Sequence, residues 1–399
     1  MSDTREVKKP LSLKERRIAV LKRTGRSEKS RLLLGKPPAE FYWVMVIVAS
    51  FVMLGLIMVL SSSSVTSLHT GSSAWGMFIR QLAWMVLGSI AMWGAYRMPY
   101  GVWTQPRLLN LVVLGVVLAN LFVALKGAVT NGANAWLDIS VFRLQPSEFL
   151  KIAMILFAAS MLAGRHRAVR IRQVVLYPMY LVIGLPIALC FMQRDFGSAI
   201  IFAGIGMGMM FIAGLPKRQL VGTTLIGVAL GAVVFQYAGR ANDRMMAFLN
   251  LEELRDTTGY QVWQALLSIA NGGLQGTGIG SGTSKWGYVP LAYSDFIFSV
   301  IAEEMGAAGT IMVIGGFIAL VLVGMRIAVH AKDMHGAFIA GGIAAWFGVQ
   351  AIVNIGGVIG MLPMTGLTLP FLSYGGSSLI ASMAASGLLL NVAREAKKR

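Results

Sequence analysis

Residues 276–306 read GTGIGSGTSKWGYVPLAYSDFIFSVIAEEMG, a glycine-rich polar loop that turns into a strongly apolar segment at Asp295. A carboxylate at the boundary between a wet loop and a lipid-soluble helix is costly, so it marks a working residue. The chain around it is apolar too: of 399 residues, 56% are hydrophobic and only 13% charged, and the mean hydropathy is +0.68. A soluble protein carries about a quarter charged residues, so the sequence reads as a polytopic integral membrane protein with small aqueous parts. The net charge of +18 comes from Lys and Arg in short clusters between apolar runs. That is the pattern of a chain oriented by its cytoplasmic cations, and it sets nucleic-acid binding aside. Cys190, the one cysteine, lies in an apolar run, which excludes an intrachain disulfide and a thiolate metal site. The four histidines are scattered without metal-ligand spacing.

A spanning helix needs about 20 apolar residues. The expected architecture is all-α, with about ten transmembrane helices near 41–62, 77–96, 108–126, 146–164, 173–192, 196–214, 219–238, 295–326, 336–360 and 374–393. The eighth is longer than a bilayer requires and is expected to tilt or extend beyond it; the fifth carries Pro178 and Pro186 and is expected to kink. Basic loops alternate along the chain with loops on the other side. Arg97 and Arg107, the RHRAVRIR run at 165–172, Lys217 and Arg218, Arg326 and Lys332, and the terminal Arg394, Lys397, Lys398 and Arg399 all fall on one side. Both termini are therefore expected in the cytoplasm. Residues 1–40 read as a basic cytoplasmic tail, 41–394 as the membrane domain with a large extracytoplasmic loop at 239–294, and 395–399 as a second cytoplasmic tail.

Four places break the apolar pattern, all on the expected outer side. In NGANAWLDISVFRLQPSEFLKI (131–152), Pro146 suits the first turn of a helix, and Glu148 and Lys151 share a face on which they can pair. In QRDFGS (193–198), Arg194 is a candidate anion ligand beside Gln193, and Asp195 is a candidate helix cap. The loop 239–294 carries Arg240, Asp243, Arg244, Gln261 and Lys285, and its 259–271 stretch reads as an amphipathic or re-entrant helix. Its glycines permit close backbone approach to a ligand but lack the βαβ setting of a nucleotide fingerprint. In MLPMTGLTLPFLSYGGSSL (361–379), prolines and glycines forbid a straight helix. Such backbone is tolerated at membrane depth only when packed in protein or lining a cavity, to which Ser373, Tyr374, Ser377 and Ser378 offer hydroxyls. Glu303 is expected near the helix face of Asp295 without pairing to it, and Glu304 to point away toward another helix. Together these residues predict a cationic cavity at the outer leaflet. It suits an anionic amphiphile with a phosphate or pyrophosphate head, and Asp295 is its candidate general base.

The stretches LQPSEFLKI (144–152), QRDFGS (193–198), GYQVWQALLSIANGGLQGTGIG (259–280), SDFIFSVIAEEMG (294–306) and LPMTGLTLPFLSYGGSS (362–378) occur in this order. In them, residues 41–394 resemble the SEDS family of shape, elongation, division and sporulation proteins, whose FtsW and RodA branches are peptidoglycan polymerases. LSSSSV (60–65) and FIRQLAWMVLG (78–88) look more like the division branch. The resemblance implies the SEDS fold and a glycosyltransferase that polymerises lipid II on the outer face of the inner (cytoplasmic) membrane, at the division septum. It implies Asp295 as general base; Glu148, Lys151, Gln193, Arg194, Asp195, Arg244, Gln261, Lys285, Ser373 and Ser377 are the candidate substrate-binding set read from the four outer stretches. It implies a class B penicillin-binding protein and other division proteins as partners. No firm cofactor follows from it, a divalent cation, Mg or Mn, being the one expected helper of the pyrophosphate.

The chain departs from the family pattern in three places. The family commonly has Pro-Glu-x-His-Thr before DFIF, where this chain has Pro290, Leu291, Ala292, Tyr293 and Ser294. It often has Pro where Arg194 stands, and Arg where Ala135 stands. Other readings of the same cavity are a lipid II flippase, an elongation-branch polymerase and a scaffold for the transpeptidase. A flippase is expected to carry charges deep in several helices, whereas these cluster at the outer ends.

Overall fold

The computed structural model describes residues 37–396 except 70–72, 74, 131–132, 140–141, 170 and 238. Its helices are α1 (Ala39–His69), α2 (Gly76–Arg97), α3 (Tyr100–Trp103), α4 (Pro106–Lys126), α5 (Pro146–Arg165), α6 (Leu176–Met192), α7 (Phe196–Ile212), α8 (Lys217–Tyr237), α9 (Gly239–Leu249), α10 (Tyr260–Gly272), α11 (Ile297–Val329), α12 (Met334–Val358) and α13 (Gly376–Glu395). Each of the ten expected apolar stretches is helical. Among the described residues six helices, α1, α4, α5, α11, α12 and α13, are long and apolar enough to cross a membrane; α6 and α7 are apolar but 17 residues each.

The bundle is centred on α12, which packs against α5, α7, α11 and α13, while α13 lies along α2. The apolar stretches of α13 and α12 are 83% and 72% buried, that of α4 only 17%, so α4 is peripheral. Lipid gives helices no hydrophobic reason to associate, so close approach through small residues does the work. A Cβ on Gly342 would sit 2.8 Å from Ile155 of α5, and one on Gly324 would sit 2.8 Å from Ala344 of α12.

Several expectations are corrected. The fold is predominantly helical rather than all-α. Between Gly127 and Pro146 the chain forms β1 (Ala128–Thr130), β2 (Ala133–Ile139) and β3 (Phe142–Leu144), an antiparallel sheet in that order. Asp138 stands opposite Arg143 and pairs with it at 2.9 Å. The helix α9 was not expected within the 239–294 loop, whereas α10 falls where the amphipathic helix was read. In α6, Pro178 falls in the first turn, where a missing N–H costs nothing, and Pro186 alone is interior. The basic tail read at 1–40 lies, up to residue 36, outside the described residues, as do 397–399 and the side chain of Arg240.

The long eighth helix carries a break that its apolar run does not announce. Gly306, inside α11, has φ 62° and ψ −151°, a conformation essentially restricted to glycine. The break frees backbone acceptors, and the glycine-rich loop fills the gap. Thr277 N–H donates to the Glu303 carbonyl (2.9 Å), Gly278 N–H to that of Glu304 (3.0 Å), and Ala307 N–H to that of Gly273 (3.1 Å).

Candidate functional site

Asp295 lies two residues before α11 and is half-buried in the wall of a cavity of about 650 Å³. The cavity is bounded by the 145–148 end of α5, the α6–α7 turn, α9, α10 and the broken link 362–378. Three ties hold that link to the stretch before α11. Asn354 of α12 donates through Nδ2 to the Asp295 carbonyl (3.0 Å) and to the Leu367 carbonyl (2.6 Å). Ser373 Oγ donates to the Ser294 carbonyl (2.6 Å), and Tyr374 N–H donates to the Tyr293 carbonyl (2.9 Å).

The Asp295 carboxylate accepts the Ser294 hydroxyl at 2.8 Å. Burial pushes its pKa above the ordinary aspartate value, opposed by the Ser294 hydrogen bond and the nearby Arg244 charge. Arg244, from α9, donates through Nη1 to the Thr365 carbonyl (2.7 Å). A Cβ built on Gly366, which has φ 74°, would lie 3.2 Å from Arg244 Nη2 and 3.5 Å from Asp295 Oδ2. A glycine there lets acid and guanidinium approach the same point of the link.

Of the other predicted residues, Glu148, Arg194, Asp195, Gln261 and Ser377 line the cavity with Asp295 and Arg244. Asp195 caps α7: it accepts Ser198 N–H at 3.0 Å and Ser198 Oγ at 2.7 Å, and takes Gln145 Nε2 at 3.3 Å. Ser377 Oγ accepts Gln145 N–H at 2.9 Å. Arg194 closes α6 in a Schellman turn. Its N–H reaches the Phe191 carbonyl (3.1 Å), and the Asp195 N–H reaches that of Cys190 (2.9 Å). Its φ of 58° is the left-handed value for which glycine is usual there, a cost of about 1–2 kcal/mol for an L side chain.

The structure takes four predicted ligands away from the cavity lining. Lys151 is fully buried behind it, with Nζ on Glu148 Oε1 (2.8 Å) and Gln350 Oε1 (3.0 Å) and over the Trp346 ring. Lys285 Nζ donates to the Gly280 carbonyl and stands 3.9 Å from Glu304, which also accepts Ser61 Oγ of α1 at 2.6 Å. Gln193 is buried against Asn120, and Ser373 is spent on the Ser294 carbonyl and the Leu369 N–H. Glu303 is likewise structural: its carboxylate accepts Asn271, Thr283 and Ser284, and so folds the 271–284 loop. Its helical-face relation to Asp295 lapses, because Asp295 precedes the helix. Sequence reading missed Asn120, Gln350 and Asn354, although a polar amide inside an apolar helix is itself a signal.

Residues 42–398 match the family model described as cell cycle protein, covering FtsW, RodA and SpoVE. Among curated relatives, the probable peptidoglycan glycosyltransferase FtsW of Geobacter metallireducens is 36% identical over 86% of this chain and 92% of its own length. Stage V sporulation protein E of Bacillus subtilis is 35% identical over 86% of this chain and 93% of its own. A solved structure described as "Structural coordination of polymerization and crosslinking by a peptidoglycan synthase complex" superposes with a TM-score of 0.73, at 27% identity, over 88% of this chain and 97% of that one. The rod shape determining protein RodA of Thermus thermophilus superposes with a TM-score of 0.66, at 26% identity, over 89% and 97%.

Proposed function

The chain belongs to the FtsW/RodA/SpoVE family of cell cycle proteins, and from that premise we infer that it is a peptidoglycan glycosyltransferase of cell division, joining lipid-linked disaccharide-peptide units into glycan strands. The observation that carries the reading is Asp295, a carboxylate of raised pKa in a cavity that also holds Arg194 and Arg244. Asp295 takes the proton of the acceptor sugar's 4-hydroxyl. The freed oxygen attacks the anomeric carbon of the donor. The bond to undecaprenyl pyrophosphate breaks with inversion, and its electron pair leaves on the pyrophosphate. A carboxylate made more basic by burial suits proton abstraction from a sugar hydroxyl better than an ordinary aspartate. Arg194 and Arg244 meet the pyrophosphate with charge-assisted hydrogen bonds.

Among the described residues no three His, Cys, Asp or Glu gather into a metal-ligand group. A closed protein cage for Mg or Mn does not fit this cavity, and no step here is routed through a metal.

The same reading has ten spans, both termini in the cytoplasm, and the cavity opening at the outer face of the inner membrane at the septum. The alternating basic loops support it. A class B penicillin-binding protein is the partner, supported by the likeness to a peptidoglycan synthase complex. The test is reconstitution with that transpeptidase and labelled lipid II. Wild type is expected to make long glycan and Asp295→Asn none; full-length glycan from the Asn variant overturns the base assignment. Arg194→Ala is expected to cut polymerisation at least tenfold without loss of folded protein, since a charge-assisted contact contributes about 1.5–3 kcal/mol. Unchanged activity removes Arg194 from the site.

A further inference from the structure

Asn120 lies within the apolar helix α4 and is completely buried. An amide at such a position is held there by a partner. Asn120 Nδ2 is spent on its own helix, on the Val116 carbonyl at 2.8 Å. Its Oδ1 and its backbone carbonyl both accept Nε2 of Gln193, at 3.2 and 2.9 Å. Gln193 is 1% exposed, and its carbonyl accepts Asn134 N–H of β2 at 2.9 Å. Gln193 Oε1 has no partner among the described residues, so Asn120 alone secures this side chain. The next residue is Arg194, whose left-handed backbone is disfavoured for any residue with a Cβ. A residue so held springs back unless its neighbours fix it.

We propose that Asn120 and Gln193 form a positioning bracket that ties the α6–α7 turn to α4 and β2 and so holds Arg194 over the cavity for the anionic head group. Gln193, expected to touch substrate, acts instead through Arg194. This rests on the polymerase reading, in which Arg194 meets pyrophosphate.

The test is a double-mutant cycle in lipid II polymerisation, with full-length protein and its transpeptidase. Gln193→Met removes both bonds to Asn120, and Asn120→Leu removes one while keeping the branched shape of the side chain. Each is combined with Arg194→Gly, which deletes the guanidinium and relieves the turn. In the wild-type background Gln193→Met is expected to lower kcat/KM about tenfold and Asn120→Leu less, the scale of one misplaced charge-assisted contact. In the Arg194→Gly background neither is expected to cost anything further, because the bracket has nothing left to hold. Equal losses in both backgrounds, accompanied by lowered melting temperatures, would mean the amides only satisfy each other and would overturn the proposal. Full activity of Arg194→Gly alone also overturns it. If Gln193→Met does not fold, the Asn120→Leu cycle decides by the same comparison. Polymerisation by Asp295→Asn, measured alongside, bears on the base assignment alone and does not alter the comparison between the two backgrounds.

Discussion

Asp295 titrates above an ordinary aspartate because burial disfavours its charged form more than Ser294 and Arg244 favour it. In the base role proposed for it, Asp295 works only when ionised. The acid limb of kcat/KM for polymerisation is therefore expected to lie at higher pH than an exposed aspartate would give, with activity rising as pH increases through that limb. The stability sign is the reverse. The folded chain holds this proton more tightly than the unfolded one, so the contribution is complete below the unfolded carboxyl's pKa and is lost as pH rises through the folded value. At neutral pH the ionised group is a cost, and Asp295→Asn is expected to melt higher in detergent while making no glycan. A lower melting temperature would show that the acid is structurally needed. Lys151 behaves oppositely: Lys151→Met leaves Glu148, 3% exposed, without its counter-ion, a loss of about 3–5 kcal/mol to be read by thermal unfolding. At this scale Asp295, Arg194 and Arg244 were legible because ionisable groups stand out in an apolar chain. The fate of Lys285, Gln193 and Ser373 was not, because what uses up their polar atoms is set by the fold: the Gly280 carbonyl of its own loop for Lys285, and distant segments for the other two. Glu304 answers Lys285, Asn120 answers Gln193 from 73 residues away, and Ser294 answers Ser373 from 79.

Among the elements, α11 shows what hydropathy cannot see. Ten apolar runs predicted ten helices, and each run is helical, because length and apolarity are properties of a window. The break at Gly306 is a property of one residue and of the loop that docks on it. A Cβ at Gly306 would stand 2.7 Å from the Leu274 carbonyl, besides the strain of its dihedrals. Gly306→Ala is expected to cost at least about 2 kcal/mol and to raise hydrogen exchange in the 273–285 loop, which hangs on the freed carbonyls and on the Glu303 and Glu304 carboxylates. Wild-type melting with unchanged loop protection would mean the break is incidental. The small β-sheet was hidden for a related reason. Two of its three strands, β1 and β3, have only three residues and carry no usable alternation, and the seven-residue β2 is docked by Asn134 N–H on the Gln193 carbonyl.

For the molecule as a whole, the polar networks sort to two ends. At one, Asn391 donates to the Tyr96 and Met98 carbonyls and accepts Tyr100 N–H, Tyr100 donates to Asp333, and Arg394 reaches Tyr96. These residues sit beside the basic turns Arg97, Lys332 and Arg394, and the phenol of Tyr100 is pushed up by burial and by Asp333. At the other end are Asp295, Arg194, Arg244 and the cavity. In the proposed topology the cation bias puts the first end in the cytoplasm and the Asp295 cavity on the opposite face. The chain itself supplies the means of testing this, because its one cysteine, Cys190, is buried. Single cysteines at exposed Arg172 and Thr257 are expected to divide. In intact cells an impermeant maleimide labels Thr257→Cys and spares Arg172→Cys, and opening the inner membrane exposes the second. The reverse pattern would turn Asp295 toward the cytoplasm, where polymerisation of an outward-facing lipid-linked substrate cannot proceed, and would return the cavity to a transport reading.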